Sequence, residues 1–496
     1  MLNRFYPDYD DLFTKLRDLV TPKRKIFIVG GAIRDIFLNC PTNDFDFVLS
    51  SDAVLVAKSI ANQLNGDFYI MDKERGTARV ITERNKKRVR LDFSLFQGET
   101  LDQDLKSRDF TINAIALDIS NPGEAIDPME GREDIFQKKL RMCSSTSFPD
   151  DPIRVLRAIR LSVGLGFSIP TDTVQAMKAS ANFIPRSSAE RQRDELFHIL
   201  DLRKTGSALR MMDHIGAIKI VLPELEHLRN LPQSTPHILG VWEHTLAVIA
   251  SLENLFQVLV DKFDEDAAAS LLFGLVVLKL GQYRQNLLQH YQSNLSIDRS
   301  YRALLKFIAL YHDVGKANTY HEDGNGRIRF LQHEQIGSEL IKQRGRHLAL
   351  SENEINLCEI IVQNHMRIHN LDRTGTIPTR RAIYHYFRDT NQAGVDICLL
   401  SLADVLGTYG PTLTQEHWIE KLDICLMLFS AWWEQKSSIV TPPRLITGDD
   451  LIQLFNLVPG RRIGEILESV QESQAVGTIT DREEAIKFVR DLLQNK

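Results

Sequence analysis

The sequence of 496 residues is poor in cysteine and has no long hydrophobic run. Its five cysteines show no CxxC spacing, which argues against a zinc knuckle or a disulfide framework and indicates a reducing cytoplasm. The longest apolar stretch, Ala267 to Leu280, is too short to span a bilayer comfortably, so we expect a core helix and no membrane partner. The N-terminal residues lack the pattern of a signal peptide, and no internal repeat or low-complexity segment is visible.

Neither sign of charge dominates, since 60 Lys and Arg residues face 65 Asp and Glu residues and the net charge is −5. The hydrophobic content of 43 % is typical of a soluble protein, and the length predicts about three or four domains. The acidic balance does not exclude RNA, because affinity for phosphates depends on local patches. Basic patches lie at 23–25, 84–90, 154–160 and 461–462, although each alone is typical of a solvated surface, and 86–87 also fits a hairpin turn.

The first informative motif is a glycine turn between a predicted strand, 26–29, and a predicted helix, 32–38. Gly30 and Gly31 lack Cβ atoms, so backbone N–H groups beside a helix N-terminus can approach a triphosphate closely. Arg34, within the first turns of the helix, is placed to hold a phosphate. The turn therefore predicts a nucleotide-binding site.

Two aspartates follow the glycine turn. In an extended segment Asp44 and Asp46 point to the same side, while Phe45 turns into the core. Paired carboxylates are suited to Mg²⁺, which binds carboxylate oxygens together with substrate phosphates and supports nucleotidyl transfer. An isolated DxD is more often a turn, and only the glycines just upstream favour the catalytic interpretation.

These residues resemble class II tRNA nucleotidyltransferases and bacterial poly(A) polymerases, of the polymerase-β-like nucleotidyltransferase superfamily. Further segments follow in the order of that family: 104–114, 127–134, 150–160 and 188–196. The resemblance implies an α+β fold, with a mixed sheet in the catalytic head and a mostly α-helical neck after it. It also implies that Asp92, on an alternating strand pattern, is a third catalytic carboxylate, and that Arg108 contacts the incoming nucleotide. Ser107 departs from the family, which usually has two adjacent arginines there.

The segment 150–160 also makes sense from its residues. Arg154, Arg157 and Arg160 recur every third residue on one helix face, with Asp151 beside them, while apolar residues line the other face. Cytosine and adenine each present an amino donor next to a ring-nitrogen acceptor, which an aspartate and an arginine can read. We therefore expect Asp151 and Arg154 to admit CTP or ATP and to reject UTP and GTP. The alternative is a solvated face with intrahelical ion pairs.

A departure from the family concerns specificity. Only fourteen residues, 93–106, join Asp92 to Ser107. Enzymes that add the whole CCA end usually carry a longer flexible loop there. The short connection therefore raises the possibility of an enzyme that adds only CC or only the terminal A.

The second half of the chain contains a series of histidines and aspartates that resembles an HD phosphohydrolase domain: His244, His312, Asp313, His333, His365 and Asp404. Mixed imidazole and carboxylate ligands match Mn, Ni or Co. Such an ion polarises a phosphoryl oxygen and activates water, which is the basis of phosphoester hydrolysis, and Lys316 is placed to bind a phosphate. The alternative is a vestigial scaffold. We expect the other histidines at 198, 227, 369 and 385 to be ordinary surface or capped core residues.

The predicted organisation is a catalytic head, a helical neck, an HD domain and a helical tRNA-binding tail, at 1–148, 149–230, 237–412 and 413–496, with a linker at 231–236. The predicted function is template-independent addition of C and/or A to the 3′ end of tRNA from CTP and ATP. Two alternatives stay open. One is a poly(A) polymerase, and the other is a metal-dependent phosphohydrolase whose head only binds nucleotides or RNA. The oligomeric state is left open.

Overall fold

The computed structural model describes five stretches of the chain: 2–260, 268–292, 294–296, 299–372 and 377–494. The chain forms two compact units, of which the head unit comprises residues 1–188 and 211–220 and the helical unit residues 189–210 and 221–496. This division does not test the four predicted domain limits one by one, so those limits stay predictions. Ala267, at the start of the predicted apolar stretch, lies outside the described residues.

A seven-stranded mixed sheet is the centre of the head unit. Its strands are β1 Ile26–Val29, β2 Asp44–Leu49, β3 Asp67–Asp72, β4 Thr77–Arg84, β5 Lys87–Leu95, β6 Ala116–Asp118 and β7 Ala125–Ile126. Their order is β3-β4-β5-β2-β1-β6-β7, with β2 and β5 parallel and the other neighbouring pairs antiparallel. The structure confirms the predicted mixed sheet.

The two faces of this sheet differ in burial because side chains alternate along each strand. Phe45 and Phe47 on β2 are each 1 % exposed, and Leu91 on β5 is fully buried. Aromatic rings of the N-terminal segment pack on Phe45, and the helix Ala53–Leu64 packs against β4 and β5. The opposite face carries Asp44 and Asp46 beside a second buried cluster that includes Val29, Val48 and Ala116, so this face, called the open face below, is open only in part.

Short helices connect the strands and continue into the predicted neck. In the first 230 residues the helices are Leu2–Phe5, Asp10–Asp18, Gly31–Phe37, Ala53–Leu64, Leu101–Ser107, Gly131–Phe136, Ser147–Asp150, Arg154–Leu165, Thr171–Ser180, Ala189–Leu200, Thr205–Ile215 and Ile218–Val221. The 3-10 helices are Pro7–Tyr9, Thr111–Asn113, Ala181–Arg186 and Pro223–Leu228. The predicted helix after the two glycines begins at Gly31, one residue earlier than expected.

The remainder of the chain is mainly helical, after a linker at 231–236 without helix or strand. Its α-helices are Val241–Leu259, Leu271–Leu280, Arg284–Gln292, Tyr301–Tyr311, Lys316–Thr319, His333–His347, Glu352–Asn364, Arg367–Asp372, Arg380–Thr390, Ala393–Tyr409, Gln415–Trp433, Gly448–Phe455, Arg461–Val476 and Arg482–Gln494. Two hairpins accompany them, formed by β8 Asn294–Ser296 with β9 Arg299–Ser300 and by β10 Tyr320–Glu322 with β11 Ile328–Phe330. The turn predicted at 323–326 joins β10 to β11.

Two features bear on the tail and on membranes. The last three helices share a small core around Leu451, Ile466 and Val489. Among the described residues, one helical stretch, Ala393–Thr412, is long and apolar enough by composition to cross a membrane, but 78 % of its most apolar 18-residue window is buried inside the protein. A buried apolar helix of this kind is what the core of a soluble protein contains.

Candidate functional site

The glycine turn lies directly beside Asp46. β1 ends at Val29, and Gly30 has a φ of +74°, which favours glycine. A Cβ at Gly30 would lie 3.0 Å from Asp46 Oδ2 and 3.4 Å from Arg108 Nη1. The missing side chain therefore keeps the backbone close to a carboxylate and to a cation.

Three carboxylates lie on the open face of two parallel strands. The burial pattern of β2 leaves Asp44 and Asp46 exposed and turns Phe45 inward, as predicted. In the register of β2 and β5, Asp46 is paired with Asp92, so the two side chains lie next to each other on one face. The structure thus brings the three predicted catalytic carboxylates together.

Two arginines that we did not predict hold these carboxylates. Asp92 accepts two hydrogen bonds from Arg79, at 2.7 Å from Nε and 2.9 Å from Nη2. Arg90 Nη2 donates to Asp44 at 2.7 Å. Both arginines come from strands next to the carboxylates, and only the pairing of β4 with β5 identifies Arg79 as the partner of Asp92.

The electrostatics of Asp46 fit a divalent cation. Burial among protein atoms raises the pKa of Asp46, and the Asp92 carboxylate raises it further, while Arg108 and Arg90 act in the opposite direction. Two neighbouring carboxylates that disfavour each other's charge, one of them open to solvent, are a donor set that Mg²⁺ matches. The residues present therefore fit the metal that nucleotidyl transfer needs.

A polar cavity of about 230 Å³ adjoins the carboxylates. The residues that line it are Gly30, Gly31, Asp46, Ser94, Gln97, Asp104, Ser107, Arg108, Asp109, Asn113, Arg154 and Arg157. The predicted nucleotide-binding residues in this lining come from three separate segments: the glycine turn, residue 108 and the arginine helix. The cavity has the cations and open glycine backbone that a nucleotide requires.

Buried carboxylates fix the arginines of the cavity. Arg108 donates from Nε and Nη2 to Asp104, which is 3 % exposed, at 3.2 and 3.1 Å. Arg157 Nη1 lies 3.4 Å from Asp109, and Arg157 helps to hold the pKa of Asp109 below its usual value against the effect of burial. Asp104, Arg108 and Asp109 belong to the segment 104–114 that resembles the family, but only Arg108 was predicted from it as a site residue.

Arg154 joins the arginine helix to that segment. Its Nη2 donates to the Ser107 carbonyl at 3.1 Å, and its Nη1 donates to Ser147 Oγ at 3.0 Å. Its Nε lies 3.8 Å from Asp151, the partner predicted for base selection. Arg154 therefore also has a structural role, while base selection by Asp151 and Arg154 stays a prediction.

Three of the predicted nucleotide-binding residues, Arg34, Asp151 and Arg160, are not among the residues that line the cavity. Arg34 donates to Asp35 at 2.9 Å and to Asn113 Oδ1 at 2.9 Å, so its guanidinium connects the helix after the glycine turn with Asn113. Arg160 lies on the arginine face two turns beyond Arg154 and is partly exposed. Their contact with a nucleotide stays a prediction.

The helical unit contains a second, buried cluster. Nε2 of His244 and Nε2 of His312 lie 3.5 and 3.3 Å from Asp313 Oδ2. On the other side, Nε2 of His333 and Nε2 of His365 lie 3.3 and 3.8 Å from Asp313 Oδ1. The six predicted HD residues therefore converge, with Asp313 in the middle.

Asp404 contacts the two imidazoles on one side of this cluster, those of His244 and His312. Its Oδ1 lies 3.0 Å from Nε2 of His244 and 3.8 Å from Nε2 of His312. Burial raises the pKa of Asp404, but the neighbouring imidazoles of His244 and His369 overcome this and hold it well below its usual value. Asp404 is therefore an ionised carboxylate beside two imidazoles.

The imidazole rings are oriented for metal binding. Nδ1 of His312, His333 and His365 each donates to the carbonyl oxygen three residues upstream, at 2.7, 2.9 and 2.7 Å, because a carbonyl can only accept. This leaves each Nε2 directed at Asp313. Within the described residues, Nε2 of His312 and both ring nitrogens of His244 are buried without a hydrogen-bond partner. A divalent ion fits this donor set, since it would satisfy atoms that are otherwise costly to bury.

Two histidines were missed by sequence reasoning. His369 Nε2 lies 2.9 Å from Asp404 Oδ2, so His369 contacts the cluster, which the sequence did not predict. The ring of His237 lies 5.3 Å from that of His244, and burial with nearby Lys316 lowers the pKa of His237 to about 4. His237 and His369 carry no motif, and only the packing of their segments brings them here.

Lys316 is engaged within the cluster. Its Nζ lies 2.7 Å from Asp313 Oδ2 and donates to Gln233 Oε1 at 2.7 Å. Burial raises the pKa of Asp313, but His312 and then Lys316 hold it well below its usual value. Lys316 thus stabilises the central carboxylate, and its predicted binding of a phosphate stays a prediction.

Comparison with known families agrees with this geometry. Residues 26–141 match the "Poly A polymerase head domain", residues 166–228 the "Probable RNA and SrmB-binding site of polymerase A", and residues 283–408 the "HD domain". His244 lies before the HD match, although the structure places it in the cluster. Nucleotidyltransferase and HD domains both imply the use of divalent metal ions.

Curated relatives cover most of the chain. An A-adding tRNA nucleotidyltransferase of Deinococcus radiodurans is 29 % identical over 93 % of this chain and 94 % of its own length. A CC-adding tRNA nucleotidyltransferase of Thermus thermophilus is 29 % identical over 95 % and 94 %. A Multifunctional CCA protein of Stenotrophomonas maltophilia is 30 % identical over 70 % of this chain and 77 % of its own length.

Solved structures share the fold. A CCA-adding enzyme in its apo form I is 21 % identical, covers 99 % of this chain and 97 % of its own, and has a TM-score of 0.61. A Thermotoga maritima CCA-adding enzyme complexed with tRNA-CCA covers 99 % and 95 % with a TM-score of 0.55. The predicted fold class and family are confirmed, and the chain belongs to the family of class II tRNA nucleotidyltransferases and bacterial poly(A) polymerases that carry an HD domain.

Proposed function

We propose that this chain adds C and/or A to the 3′ end of tRNA, from CTP and ATP and without a nucleic-acid template. The observation that supports this most directly is the row of carboxylates on β2 and β5 beside the glycine turn and the arginine-lined cavity. The three curated relatives reported above are an A-adding tRNA nucleotidyltransferase, a CC-adding tRNA nucleotidyltransferase and a Multifunctional CCA protein, which supports this proposal. We also propose a cytoplasmic location, in line with cysteines that are all unpaired.

The catalytic roles follow from the positions of the residues. Asp44 and Asp46 would hold Mg²⁺, which when bound stabilises negative charge at the reacting phosphate and makes the attacking hydroxyl more acidic. Asp92 is held in one orientation by Arg79 and adds negative charge next to Asp46. Gly30 lets the phosphates approach this row because no side chain fills the space.

The nucleotide would be held by the cations of the cavity. Arg108 is fixed by Asp104 and faces the space beside Gly30. Arg154 and Arg157 enter the same cavity from the arginine helix. These three guanidinium groups supply fixed donors for phosphate and ribose oxygens, and they need no reorganisation when the nucleotide binds.

The test measures the extension of three tRNA substrates by each of the two nucleotides. Three tRNA transcripts, ending at the discriminator base, at C and at CC, are each incubated with CTP alone or ATP alone. Growth of the first transcript by two C residues and of the third by one A supports full CCA addition. Long A tails favour a poly(A) polymerase, and no extension of any transcript contradicts the proposal.

Partial specificity is the second candidate. The connection that follows Asp92 is almost fully structured, since β5 runs to Leu95 and a helix, Leu101–Ser107, begins after the cap residue Thr100. This leaves five residues, 96–100, in place of a long flexible loop. Extension of only the CC transcript by ATP would identify an A-adding enzyme, and addition of two C residues by CTP without any extension of the CC transcript by ATP would identify a CC-adding enzyme.

We further propose that the HD cluster holds a divalent ion such as Mn, Ni or Co and hydrolyses phosphoesters in 3′-end repair. The support is the convergence of His244, His312, Asp313 and Asp404, with ring nitrogens that lack hydrogen-bond partners in the described part of the chain. The test uses 2′,3′-cyclic AMP with each metal in turn. Metal-dependent hydrolysis that disappears in His312→Ala supports the proposal. Absence of both bound metal and hydrolysis contradicts it and favours a vestigial scaffold.

A further inference from the structure

The open face of the head sheet continues beyond the catalytic carboxylates to the edge of the sheet. Strand pairing places Asp46 opposite Asp92, Asp92 opposite Arg79, and Arg79 opposite Tyr69. Residues that are paired in this way lie on the same face, about 4.8 Å apart from strand to strand. The four side chains therefore form a continuous row, with Tyr69 roughly 14 Å from Asp46.

Tyr69 is an aromatic side chain left open at the end of this row. It is 49 % exposed and lies on β3, the edge strand of the sheet, where Ile70 and Met71 are exposed as well. The regular pairing of β3 with β4 extends through Tyr69, and the irregularity in this pairing lies after it, between Ile70 and Asp72. The exposure of Tyr69 thus comes from its place on the edge strand, and its pairing with Arg79 fixes the face on which it lies.

Of the four residues of this row, only Asp46 is among the residues that line the nucleotide cavity. The cavity is lined from the glycine turn after β1, from the end of β5 and the helix after it, and from the arginine helix. In nucleotidyl transfer the attacking hydroxyl and the leaving pyrophosphate lie roughly in line, on opposite sides of the reacting phosphorus. With the triphosphate in the cavity, the RNA strand approaches Asp46 along the part of the row that lies outside the cavity, over Asp92, Arg79 and Tyr69.

We propose that Tyr69 stacks on a base of the tRNA's single-stranded 3′ end, a few nucleotides before the hydroxyl that is extended. We assign RNA as the partner of Tyr69 because an RNA strand whose 3′ end reaches Asp46 along this row passes over Arg79 and Tyr69. Arginines already neutralise the carboxylates along this path, Arg79 at Asp92 and Arg90 at Asp44, so the face does not repel a phosphate chain. Stacking tolerates every base, which suits an enzyme that must accept many tRNAs. This inference rests on the proposed function.

The experiment compares Tyr69→Ala, Tyr69→Phe and a control, Phe136→Ala. Phe136 is an exposed aromatic residue of the same unit, 83 % exposed, on a helix away from the row. Steady-state extension of tRNA gives kcat and separate KM values for tRNA and for the nucleotide. We expect Tyr69→Ala to raise the KM for tRNA about tenfold, with kcat and the nucleotide KM within about twofold, and Tyr69→Phe and Phe136→Ala to resemble the wild type.

An abasic nucleotide placed at each of the last three positions of the tRNA locates the contact. At the position that Tyr69 touches, removal of the base weakens the wild type and makes it equal to Tyr69→Ala. An unchanged KM for tRNA in Tyr69→Ala overturns the inference while leaving the proposed function intact. So does light scattering that shows loss of a dimer, since Tyr69 then contacts a second copy. A wild type that extends no tRNA overturns both.

Discussion

The catalytic face of the head and the HD cluster both hold carboxylates in place, but they do so through different contacts. In the head, Asp44 and Asp92 lie on an open sheet and are paired with arginines from neighbouring strands. In the cluster, Asp313 and Asp404 are buried among imidazoles whose Nδ1 atoms are mostly tethered to backbone carbonyls. The head site is therefore accessible and adaptable, whereas the HD site is preorganised before any ion binds.

Because the two sites are held by separate contacts, we expect a substitution in one site to leave the activity of the other site unchanged. We expect His312→Ala to reduce hydrolysis of 2′,3′-cyclic AMP by more than the roughly 10–100-fold typical of an outer-shell residue, because it removes a direct ligand. Extension of tRNA by the same protein should stay within about twofold. Loss of both activities in a variant whose circular dichroism is unchanged would show that the sites depend on each other.

A second prediction concerns His369, which contacts Asp404 and not the remaining cluster. His369→Ala should weaken metal binding at the HD site about 10–100-fold, because Asp404 loses the hydrogen bond that orients it. Isothermal titration with Mn²⁺ measures this, and His227→Ala on an exposed histidine is the control. Equal affinities in the two variants would mean that His369 only fills space.

A third prediction sharpens the account of the head. Asp151→Ala should loosen the choice between nucleotides by on the order of tenfold, because a carboxylate that accepts from the base amine is removed. Competition among the four nucleoside triphosphates on one tRNA transcript measures the ratio. If UTP and GTP are still rejected as before, Asp151 does not read the base.

The smallest expected effect is an increase in the melting temperature when a divalent ion binds. A divalent ion at 100 times its Kd stabilises the folded state by about 2.7 kcal/mol, which corresponds to roughly 5 °C or more for a unit of this size. We expect this shift for the HD cluster, where Nε2 of His312 and both ring nitrogens of His244 lack hydrogen-bond partners among the described residues, and a smaller one for the head, where arginines already contact the carboxylates. Calorimetry of Asp404→Ala, with and without Mn²⁺, separates the two contributions.

The comparison also explains what could be predicted from the sequence. The alternation of Asp44, Phe45 and Asp46 is local, so a strand period of two was enough to orient all three side chains. Arg79 was missed because its contact with Asp92 depends on the register of two strands. In the HD cluster, the adjacent residues His312 and Asp313 could be recognised in the sequence as candidate metal ligands.

His369 was missed for a related reason. It carries no motif, and it reaches Asp404 from a separate helix earlier in the chain. Local periodicity thus identifies side chains on one element. Contacts between elements require the fold.

The most direct test of the central claim replaces both exposed aspartates of β2. Extension of a tRNA transcript is measured for the wild type and for Asp44→Ala/Asp46→Ala, with hydrolysis of 2′,3′-cyclic AMP and the melting temperature as controls for folding. The account predicts that extension falls by on the order of a thousandfold or more while both controls stay unchanged. Extension that survives in the double variant would contradict it.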